Sequence, residues 1–453
     1  MLESKSAVLE LLKLCQACWN EKELPESWRS AKVIMLYKKG DNSLPQNYRP
    51  ISLLPVGYKI LAWMIQKRLQ NGGAETRIRK SQFGFLPKRG TIDAIGVVRR
   101  IFDAAYTAGH PGLMVVMLDW AKAFDRLKTN VMVESLLRFG IPTQMVNMIA
   151  SIYKMRKFQV SDSSGLSESR KQNAGIAQGC PLSPYLFIIV QSVMMFDVDK
   201  RLEEVLHVRE PAYVVTNDVL YADDTILLSS SPIRLQSHLD LVVDEGKRYG
   251  LELNWEKTMV MRIHCNATLK GPSDVALKTV TQMVYLGGLI TDDMSARPEL
   301  TRRLGEANRA FKALVVLWSH ANICRARKIE IYMAAVSSKL MYNLETLWLL
   351  KADINRLDAF HVKCLRRICK IPHSYISRVR NDTVLAVCAQ QPLHILLHKR
   401  QVHLYKKICD MPIEHFLKVL VYDVENNCPR QWHNKRKRGR PKLQWALCVF
   451  KMI

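Results

Sequence analysis

Residues 219–228 read VLYADDTILL and place two adjacent carboxylates, Asp223 and Asp224, between two short apolar runs. The hydrophobic, partly β-branched flanks predict a strand, a turn and a second strand packed against a core. A turn explains one aspartate easily, because Asp is a good turn former. Two neighbouring carboxylates repel each other unless a cation neutralises them. The stretch therefore predicts a hairpin that either binds a divalent cation such as Mg²⁺ or forms an ordinary solvated turn.

The overall charge of the chain predicts a polyanionic partner. The 453 residues include 67 Lys and Arg against 41 Asp and Glu, which leaves a net charge of +26. Such an excess favours nucleic acid as the partner, with a membrane surface as the weaker alternative. The hydrophobic content of 48% is that of a globular protein, and the length suggests about two to four domains.

Targeting and cysteine patterns predict an intracellular protein, nuclear or shuttling, that is not secreted. The charged residues Glu3, Glu10 and Lys13 do not match a signal peptide, and no apolar run reaches the roughly 20 residues of a membrane span. The 11 cysteines are odd in number and scattered, which argues against a disulfide framework. Cys15 and Cys18 form a CxxC without a second ligand pair, so we expect no metal there.

A third carboxylate, Asp119, follows a strong strand pattern. The run LMVVML at 113–118 predicts a buried strand that ends at this aspartate. We further expect helices over 183–202 and 235–249, and a strand over 251–261. Three carboxylates at strand ends fit two-metal phosphoryl transfer, in which oxygen ligands hold ions roughly 3.5 to 4 Å apart.

Several longer motifs occur in order along the chain. They are LPESWRSAKVIMLYKKGD at 24–41, NYRPISLL at 47–54, SQFGFLPKRGTIDAI at 81–95, LDWAKAFDRL at 118–127, GIAQGCPLSPYLF at 175–187, YADD at 221–224, LNWEKT at 253–258 and YLGGLI at 285–290. Together they resemble the fingers and palm motifs of reverse transcriptases, specifically the LINE-type (non-LTR) retrotransposon branch. The resemblance covers roughly residues 20 to 300, and the ordered combination is far more specific than any single motif.

The resemblance implies an α+β, right-hand polymerase fold. Its expected parts are N-terminally truncated fingers (1–111), a palm of antiparallel sheet and helices with the catalytic motifs (112–293), a helical thumb (294–420) and a basic C-terminal tail (421–453). The implied activity is that of an RNA-directed DNA polymerase, which adds dNTPs to a primer 3′-hydroxyl by two-metal phosphoryl transfer. The implied partners are an RNA template, a DNA primer, the RNA–DNA hybrid and dNTPs, with no membrane.

The resemblance also implies roles for individual residues. The expected ligands of two Mg²⁺ ions, with Mn²⁺ as the alternative, are Asp119, Asp223 and Asp224. The expected substrate-binding residues are Lys38 and Arg49 at the triphosphate, the Trp120 carbonyl as an extra metal ligand, Phe124 as the gate against a ribose 2′-hydroxyl, and Gln178 and Gly179 at the new base pair. Lys257 matches the lysine proposed to protonate the leaving pyrophosphate. The expected primer-gripping hairpin contains Tyr285, Gly287 and Gly288.

Two basic segments lie beyond these motifs. A predicted helix over about 354–370 carries four basic residues on one face, Lys363, Arg366, Arg367 and Lys370. This face predicts either primer and template phosphate contacts or simple solvation. The run NKRKRGRPKLQW at 434–445 predicts a flexible tail that serves as a phosphate clamp or as a nuclear-import signal.

The start of the sequence and one side chain bear on alternative functions. The chain begins close to the motif containing Trp28, so we expect a fragment that lacks the earlier fingers segment and an upstream endonuclease domain. A catalytically inactive relic that binds RNA or RNA–DNA hybrid is one alternative. An RNA-dependent RNA polymerase is the other, which Phe124 disfavours because such enzymes usually carry a polar or acidic residue at that position.

Overall fold

The computed structural model describes residues 5–162, 165–320, 322–432 and 443–453, apart from the side chains of residues 319 and 320. Helices and strands are mixed along the chain, which makes the fold α+β. The N-terminal elements are α1 (Lys5–Glu21), α2 (Glu26–Arg29), β1 (Ser30–Tyr37), β2 (Tyr48–Leu53), α3 (Val56–Asn71), α4 (Ala74–Arg77) and α5 (Thr91–Ala108).

The central elements build two larger sheets and a hairpin. They are β3 (Leu113–Leu118), α6 (Ala123–Arg126), α7 (Thr129–Arg138), α8 (Thr143–Tyr153), β4 (Lys157–Asp162), β5 (Gly165–Leu166), β6 (Arg170–Lys171), α9 (Ser183–Val205), β7 (Asp218–Tyr221), β8 (Asp224–Ser229), α10 (Pro232–Tyr249), β9 (Met259–Ile263), β10 (Lys278–Thr279), β11 (Gln282–Tyr285) and β12 (Gly288–Thr291). The predicted strand at 251–261 is wrong in its first part, because residues 254–258 form a turn with the Thr258 N–H bonded to the Asn254 carbonyl at 3.0 Å.

The palm sheet has the strand order β10-β9-β3-β8-β7 and is antiparallel except for the β10–β9 pair. Strand β3 lies at its centre and is apolar throughout, because both faces of the sheet are covered. Met114 and Val116 pack into one core with helices α9 and α10. Leu113 and Val115 point to the opposite face and pack with α5. The sheet is thus fixed from both sides, which gives its strand ends a rigid support.

The second large sheet has the order β2-β1-β4-β5, with β6 also paired to β4. Strand β1 runs antiparallel to β2 and parallel to β4, with Ala31 opposite Phe158. This fingers sheet therefore takes strands from both sides of the predicted boundary at residue 111. Helix α5, which precedes that boundary, packs under the palm sheet instead. The domain boundaries given above remain predictions.

The C-terminal region is mainly helical. Its elements are α11 (Arg297–His320), α12 (Arg325–Tyr332), a π-helical turn (Met333–Ser337), α13 (Ser338–Met341), α14 (Lys351–Ile368), α15 (Ser374–Ser377), α16 (Asn381–Val387), α17 (Leu393–Cys409), α18 (Phe416–Val421), β13 (Tyr422–Asp423), β14 (Cys428–Pro429) and α19 (Trp445–Phe450). A third core lies between α11, α12, α14, α16 and the first half of α17. None of the helices in the described part of the chain is long and apolar enough to cross a membrane.

The prediction of a basic tail over 421–453 is wrong for the residues that the structure describes. Trp445 and Val449 of α19 are buried in the same core as α5 and the palm sheet. The Trp445 indole donates to the Glu345 carbonyl at 2.8 Å, and the Arg100 guanidinium lies 4.8 Å from its ring. The apolar residues that follow the basic run therefore form a docked helix. Residues 434–442 of that run lie outside the described residues.

Candidate active site

The three predicted metal ligands lie at one edge of the palm sheet. Asp119 directly follows β3, Asp223 lies in the turn between β7 and β8, and Asp224 is the first residue of β8. Strands β3 and β8 are antiparallel neighbours, with Leu118 opposite Thr225. This register places the end of one strand beside the start of the other, so residues more than 100 positions apart in sequence share one site.

Burial and neighbouring carboxylates raise the pKa values of Asp223 and Asp224. Burial, together with the charges of Asp223 and Asp119, raises the pKa of Asp224 to about 6. Burial and Asp119 also raise the pKa of Asp223, against the opposing effect of Arg49 and Lys38. Carboxylates in this state are destabilised by repulsion and desolvation, which a bound cation relieves. An all-oxygen donor set of this kind fits a hard divalent cation.

Three basic side chains surround the carboxylates. The Lys257 ammonium donates to Asp119 Oδ2 at 3.1 Å. Lys38 follows β1 and Arg49 lies in β2, on the fingers side of the site. Burial and then the charges of Arg49 and Lys257 lower the pKa of Lys38, while the charges of Asp125 and Asp223 oppose this shift. The structure thus brings the predicted basic residues together with the carboxylates, and their combined charge suits a triphosphate.

A buried glutamine holds the turn that carries Asp223. The Gln82 side-chain carbonyl accepts hydrogen bonds from the Ala222 N–H at 3.0 Å and from the Gly84 N–H at 2.7 Å. Ala222 has a positive φ of 56°, so the turn requires such support. A side chain at Gly84 would place its Cβ 2.5 Å from the Ala222 nitrogen, and only glycine permits this close approach.

The same hydrogen-bond network continues from Gln82 to Trp120, the residue next to Asp119. The Gln82 side-chain amide donates to the Gln191 side-chain oxygen at 2.8 Å, and the Gln191 side-chain amide donates to Thr225 Oγ1 at 3.3 Å. The indole of Trp120, next to Asp119, donates to the same hydroxyl at 3.2 Å. Sequence reasoning missed this chain of buried residues. Its one visible signal was Gln191, the polar residue inside the apolar run of α9.

Phe124 lies beside the site with one face packed. Its ring stacks on Phe187 of α9, with the centroids 4.9 Å apart and the planes at 15°. The Phe124 carbonyl accepts from the Ile176 N–H at 2.7 Å, which ties the motif around Asp119 to the segment before α9. Phe124 is only partly buried, so part of its ring remains exposed.

The segment at 178–179 is clamped against the fingers strand β2. The Ser52 N–H donates to the Gln178 carbonyl at 2.7 Å. Gly179 has φ of +124°, and a Cβ there would lie 2.4 Å from the Ser52 oxygen, so this position requires glycine. The Gln178 side chain donates to Asp125 Oδ1 at 3.2 Å. Gln178 and Gly179 therefore join the fingers to the palm at the site.

The predicted primer-gripping hairpin is formed by β11 and β12, with Tyr285 opposite Gly288. Tyr285 is 1% exposed, which corrects its prediction as a residue that contacts the primer. A Cβ at Gly288 would clash with the Asn343 amide, so this glycine allows close packing on the helical region. The carbonyl of Gly287 accepts from Arg302 at 2.6 Å. A primer contact by this hairpin would therefore be made by its backbone and by the side chains that flank it.

The predicted basic face on α14 has three exposed members and one buried member. Lys363 and Arg367 are exposed on the helix, and Lys370 is exposed just beyond its end. Arg366 is 6% exposed and donates to the Pro372 carbonyl at 3.0 Å. The prediction of a phosphate contact by Arg366 is therefore wrong, because its guanidinium is used inside the protein.

A different group of potential metal ligands lies nearby. Among the described residues, the three-ligand group whose atoms all lie within 4.8 Å of one another is Asp199, Asp218 and His238, and the predicted ligands are more widely spaced. The Arg79 guanidinium donates to Asp218 at 3.0 Å and to Asp199 at 3.1 Å. Burial tends to raise the pKa of Asp218, but Arg79 holds it below the ordinary value. Because the Arg79 guanidinium binds both carboxylates, we interpret the group as a structural ion cluster.

The family model for reverse transcriptase (RNA-dependent DNA polymerase) matches residues 37–290, more than half of the chain. The chain belongs to the reverse transcriptase family. The matched segment of this reverse transcriptase contains all three predicted metal ligands and the fingers residues Lys38 and Arg49. The predicted α+β fold class is confirmed.

Curated relatives of this reverse transcriptase are proteins of transposons and mobile elements. The Transposon TX1 uncharacterized 149 kDa protein of Xenopus laevis is 31% identical over 52% of this chain and 18% of its own length. The probable RNA-directed DNA polymerase from transposon BS of Drosophila melanogaster is 25% identical over 81% of this chain and 41% of its own. The RNA-directed DNA polymerase from mobile element jockey of the same species is 28% identical over 77% and 38%. The predicted membership of the non-LTR retrotransposon branch is confirmed, and the chain spans less than half the length of these relatives.

Proposed function

We propose that the chain is an RNA-directed DNA polymerase that adds deoxynucleotides to a primer 3′-hydroxyl. The observation that carries this proposal is the meeting of Asp119, Asp223 and Asp224 at one edge of the palm sheet, where burial and mutual repulsion raise the pKa of Asp224 to about 6. Such an acidic cluster beside basic side chains suits the transfer of a nucleotide from a triphosphate. The names of the transposon BS and jockey relatives support the same reaction.

Asp119, Asp223 and Asp224 would together hold two divalent cations, Mg²⁺ or alternatively Mn²⁺. Members of the reverse transcriptase family use divalent metal ions. When bound, such ions supply neutralisation of the charge that develops on the attacking and leaving oxygens. Lys257, which pairs with Asp119 at 3.1 Å, would protonate the leaving pyrophosphate.

The remaining side chains would bind the nucleotide and the nucleic acid. Lys38 and Arg49 would contact the triphosphate from the fingers sheet, because both charges already act on the carboxylate site. Gln178 and Gly179 would line the new base pair, at the junction of fingers and palm. The exposed basic residues on and just after α14, Lys363, Arg367 and Lys370, would contact phosphates of the hybrid. The expected partners are therefore an RNA template, a DNA primer and dNTPs.

Primer extension tests this proposal. A labelled DNA primer annealed to an RNA template is incubated with the purified chain, dNTPs and Mg²⁺. We expect products of increasing length in the order that the template dictates, and no products when the divalent cation is chelated. Absence of dNTP addition, in a preparation that binds the hybrid, would contradict the proposed function.

Replacement of Phe124 tests the sugar gate. Phe124→Val shortens the side chain that faces the nucleotide, so the ribose 2′-hydroxyl no longer meets a ring. We expect incorporation of ribonucleotides relative to deoxynucleotides to rise on the order of tenfold or more. The measurement is the ratio of kcat/KM for a single NTP and the matching dNTP. An unchanged ratio, at a melting temperature close to wild type, would leave Phe124 with only its packing role against Phe187.

Removal of the exposed charges on and just after α14 tests the hybrid contact. Gln in place of Lys363 and Arg367 keeps helix propensity, and Gln in place of Lys370 lies beyond the helix; the three changes remove three positive charges. We expect weaker hybrid binding and a log–log salt slope that is shallower by about two to three units, because each phosphate contact releases condensed counterions. Binding is measured by anisotropy over a range of salt concentrations. The matched control removes exposed lysines of the palm region, Lys154, Lys200 and Lys247. An equal effect of both variants would show that only net charge matters.

A further inference from the structure

Arg366 gives a fixed shape to the loop that follows α14. Its guanidinium, 6% exposed, donates to the Pro372 carbonyl at 3.0 Å, to the Val379 carbonyl at 2.6 Å and to Asn381 Oδ1 at 3.0 Å. These acceptors lie near the start, near the end and just beyond the end of the loop at 370–380. A loop closed in this way is already ordered, so little conformational entropy is lost when it binds a partner.

This ordered loop displays aromatic and apolar side chains to solvent. Tyr375 is 71% exposed and Ile376 is 61% exposed. The rings of Tyr375 and His373 are stacked, with the centroids 5.7 Å apart and the planes at 12°. A single exposed apolar residue is ordinary, but a stacked and exposed aromatic pair on a preorganised loop forms a flat surface for a planar ligand.

The charge around the aromatic pair is entirely positive within the loop. Residues 370–380 read KIPHSYISRVR, with three basic residues and no acidic one. Lys370 and Arg378, which precede and follow the aromatic pair in sequence, are both exposed. Arg380 pairs with Asp382 at 3.4 Å, but both side chains are more than 80% exposed, so this ion pair is weak. The loop therefore combines a planar surface with charges that attract an anion.

We infer that His373 and Tyr375 form a stacking platform for an unpaired base of single-stranded nucleic acid, and that Lys370 and Arg378 contact its phosphates. Base faces are open in single strands and covered by neighbouring pairs in a duplex, so the platform selects unpaired nucleotides. Single-stranded RNA and DNA share this chemistry. The inference rests on the proposed function only for the partner class, and it concerns residues other than those of the carboxylate site.

The test uses the whole chain, with EDTA present so that no synthesis occurs. Binding of oligo(U) and oligo(dT) of about 12 nucleotides is measured by fluorescence anisotropy. We expect Tyr375→Ala to weaken binding about tenfold, because base stacking on one aromatic ring contributes that much. Tyr375→Phe keeps the ring and should bind as wild type, whereas Tyr375→Leu should behave like the alanine variant. The stronger-bound oligonucleotide identifies the strand type.

Two further measurements distinguish base stacking on this loop from nonspecific contact with any exposed ring. Phe196→Ala removes a comparably exposed aromatic residue, 62% exposed, on α9 and should leave oligonucleotide binding unchanged. An oligonucleotide that contains 5-iodouracil should crosslink to a peptide with residues 370–380. Wild-type affinity in Tyr375→Ala, or full rescue by leucine, would overturn the inference. Primer extension on a short hybrid is run in parallel, so that failure of the stacking inference is distinguished from failure of the proposed polymerase function.

Discussion

Asp223→Asn is expected to lower primer extension on the order of 10³-fold or more, which corresponds to a loss of about 4 kcal/mol of transition-state stabilisation. The substitution keeps the size of the side chain but removes a charged metal ligand. Hybrid binding should stay nearly unchanged or become slightly tighter, because one negative charge near the phosphates disappears. Extension rates and hybrid affinity are measured on the same preparation, so that a misfolded variant is recognised.

The control for this variant is Asp274→Asn, which alters an aspartate whose side chain is 85% exposed and pairs with Lys270 across the turn. Its extension rate should match wild type. If Asp223→Asn retained more than about a tenth of the wild-type rate, the assignment of Asp223 as a metal ligand would be wrong. Loss of both extension and hybrid binding would point to a folding defect instead.

Gln82→Leu is expected to destabilise the protein by about 3 kcal/mol and to reduce synthesis in the fraction that remains folded. Leucine nearly preserves the volume but leaves the Ala222 and Gly84 N–H groups and the Gln191 carbonyl oxygen without partners in the interior. Each buried group left unpaired costs about 1 to 3 kcal/mol, and the three costs are not additive because the network can relax. The turn that holds Asp223 also loses its main support, so the carboxylate is less well positioned.

Chemical denaturation and primer extension below the melting transition measure these two effects. Gln16→Leu, at an exposed position of α1, makes the same chemical change outside the network and should leave both quantities close to wild type. An unchanged free energy of unfolding in Gln82→Leu would mean that the buried hydrogen bonds do not support the turn. Reduced stability with a wild-type extension rate would mean that the network stabilises the fold but does not position Asp223.

The carboxylate site could be predicted from sequence because each ligand stands next to a strong local pattern. The six apolar residues before Asp119 and the apolar flanks of Asp223 and Asp224 specify buried strands, and strand ends place their side chains at a sheet edge. The support beneath the site could not be predicted in this way. Gln82 bonds to partners 109 and 140 positions further along the chain, and no local period encodes such contacts.

Two errors have a similar physical origin. The spacing of basic residues predicted one helix face on α14, but it does not reveal that the following loop folds back and surrounds Arg366. The basic run before Trp445 suggested a tail, whereas the tryptophan is buried through contacts with Glu345 and Arg100. In both cases tertiary packing decided the environment of a residue whose local sequence indicated solvent exposure.

Mn²⁺ binding, measured by electron paramagnetic resonance with hybrid present, tests most directly the claim that Asp119, Asp223 and Asp224 hold the divalent cations for synthesis. The comparison is between wild type, Asp223→Asn and Asp199→Asn, since Asp199 belongs to the other acidic group. We predict that Asp199→Asn binds Mn²⁺ as wild type does, and that Asp223→Asn loses binding in parallel with primer extension. Wild-type Mn²⁺ binding in Asp223→Asn, with loss in Asp199→Asn, would contradict the account and move the metal site to the group formed by Asp199, Asp218 and His238.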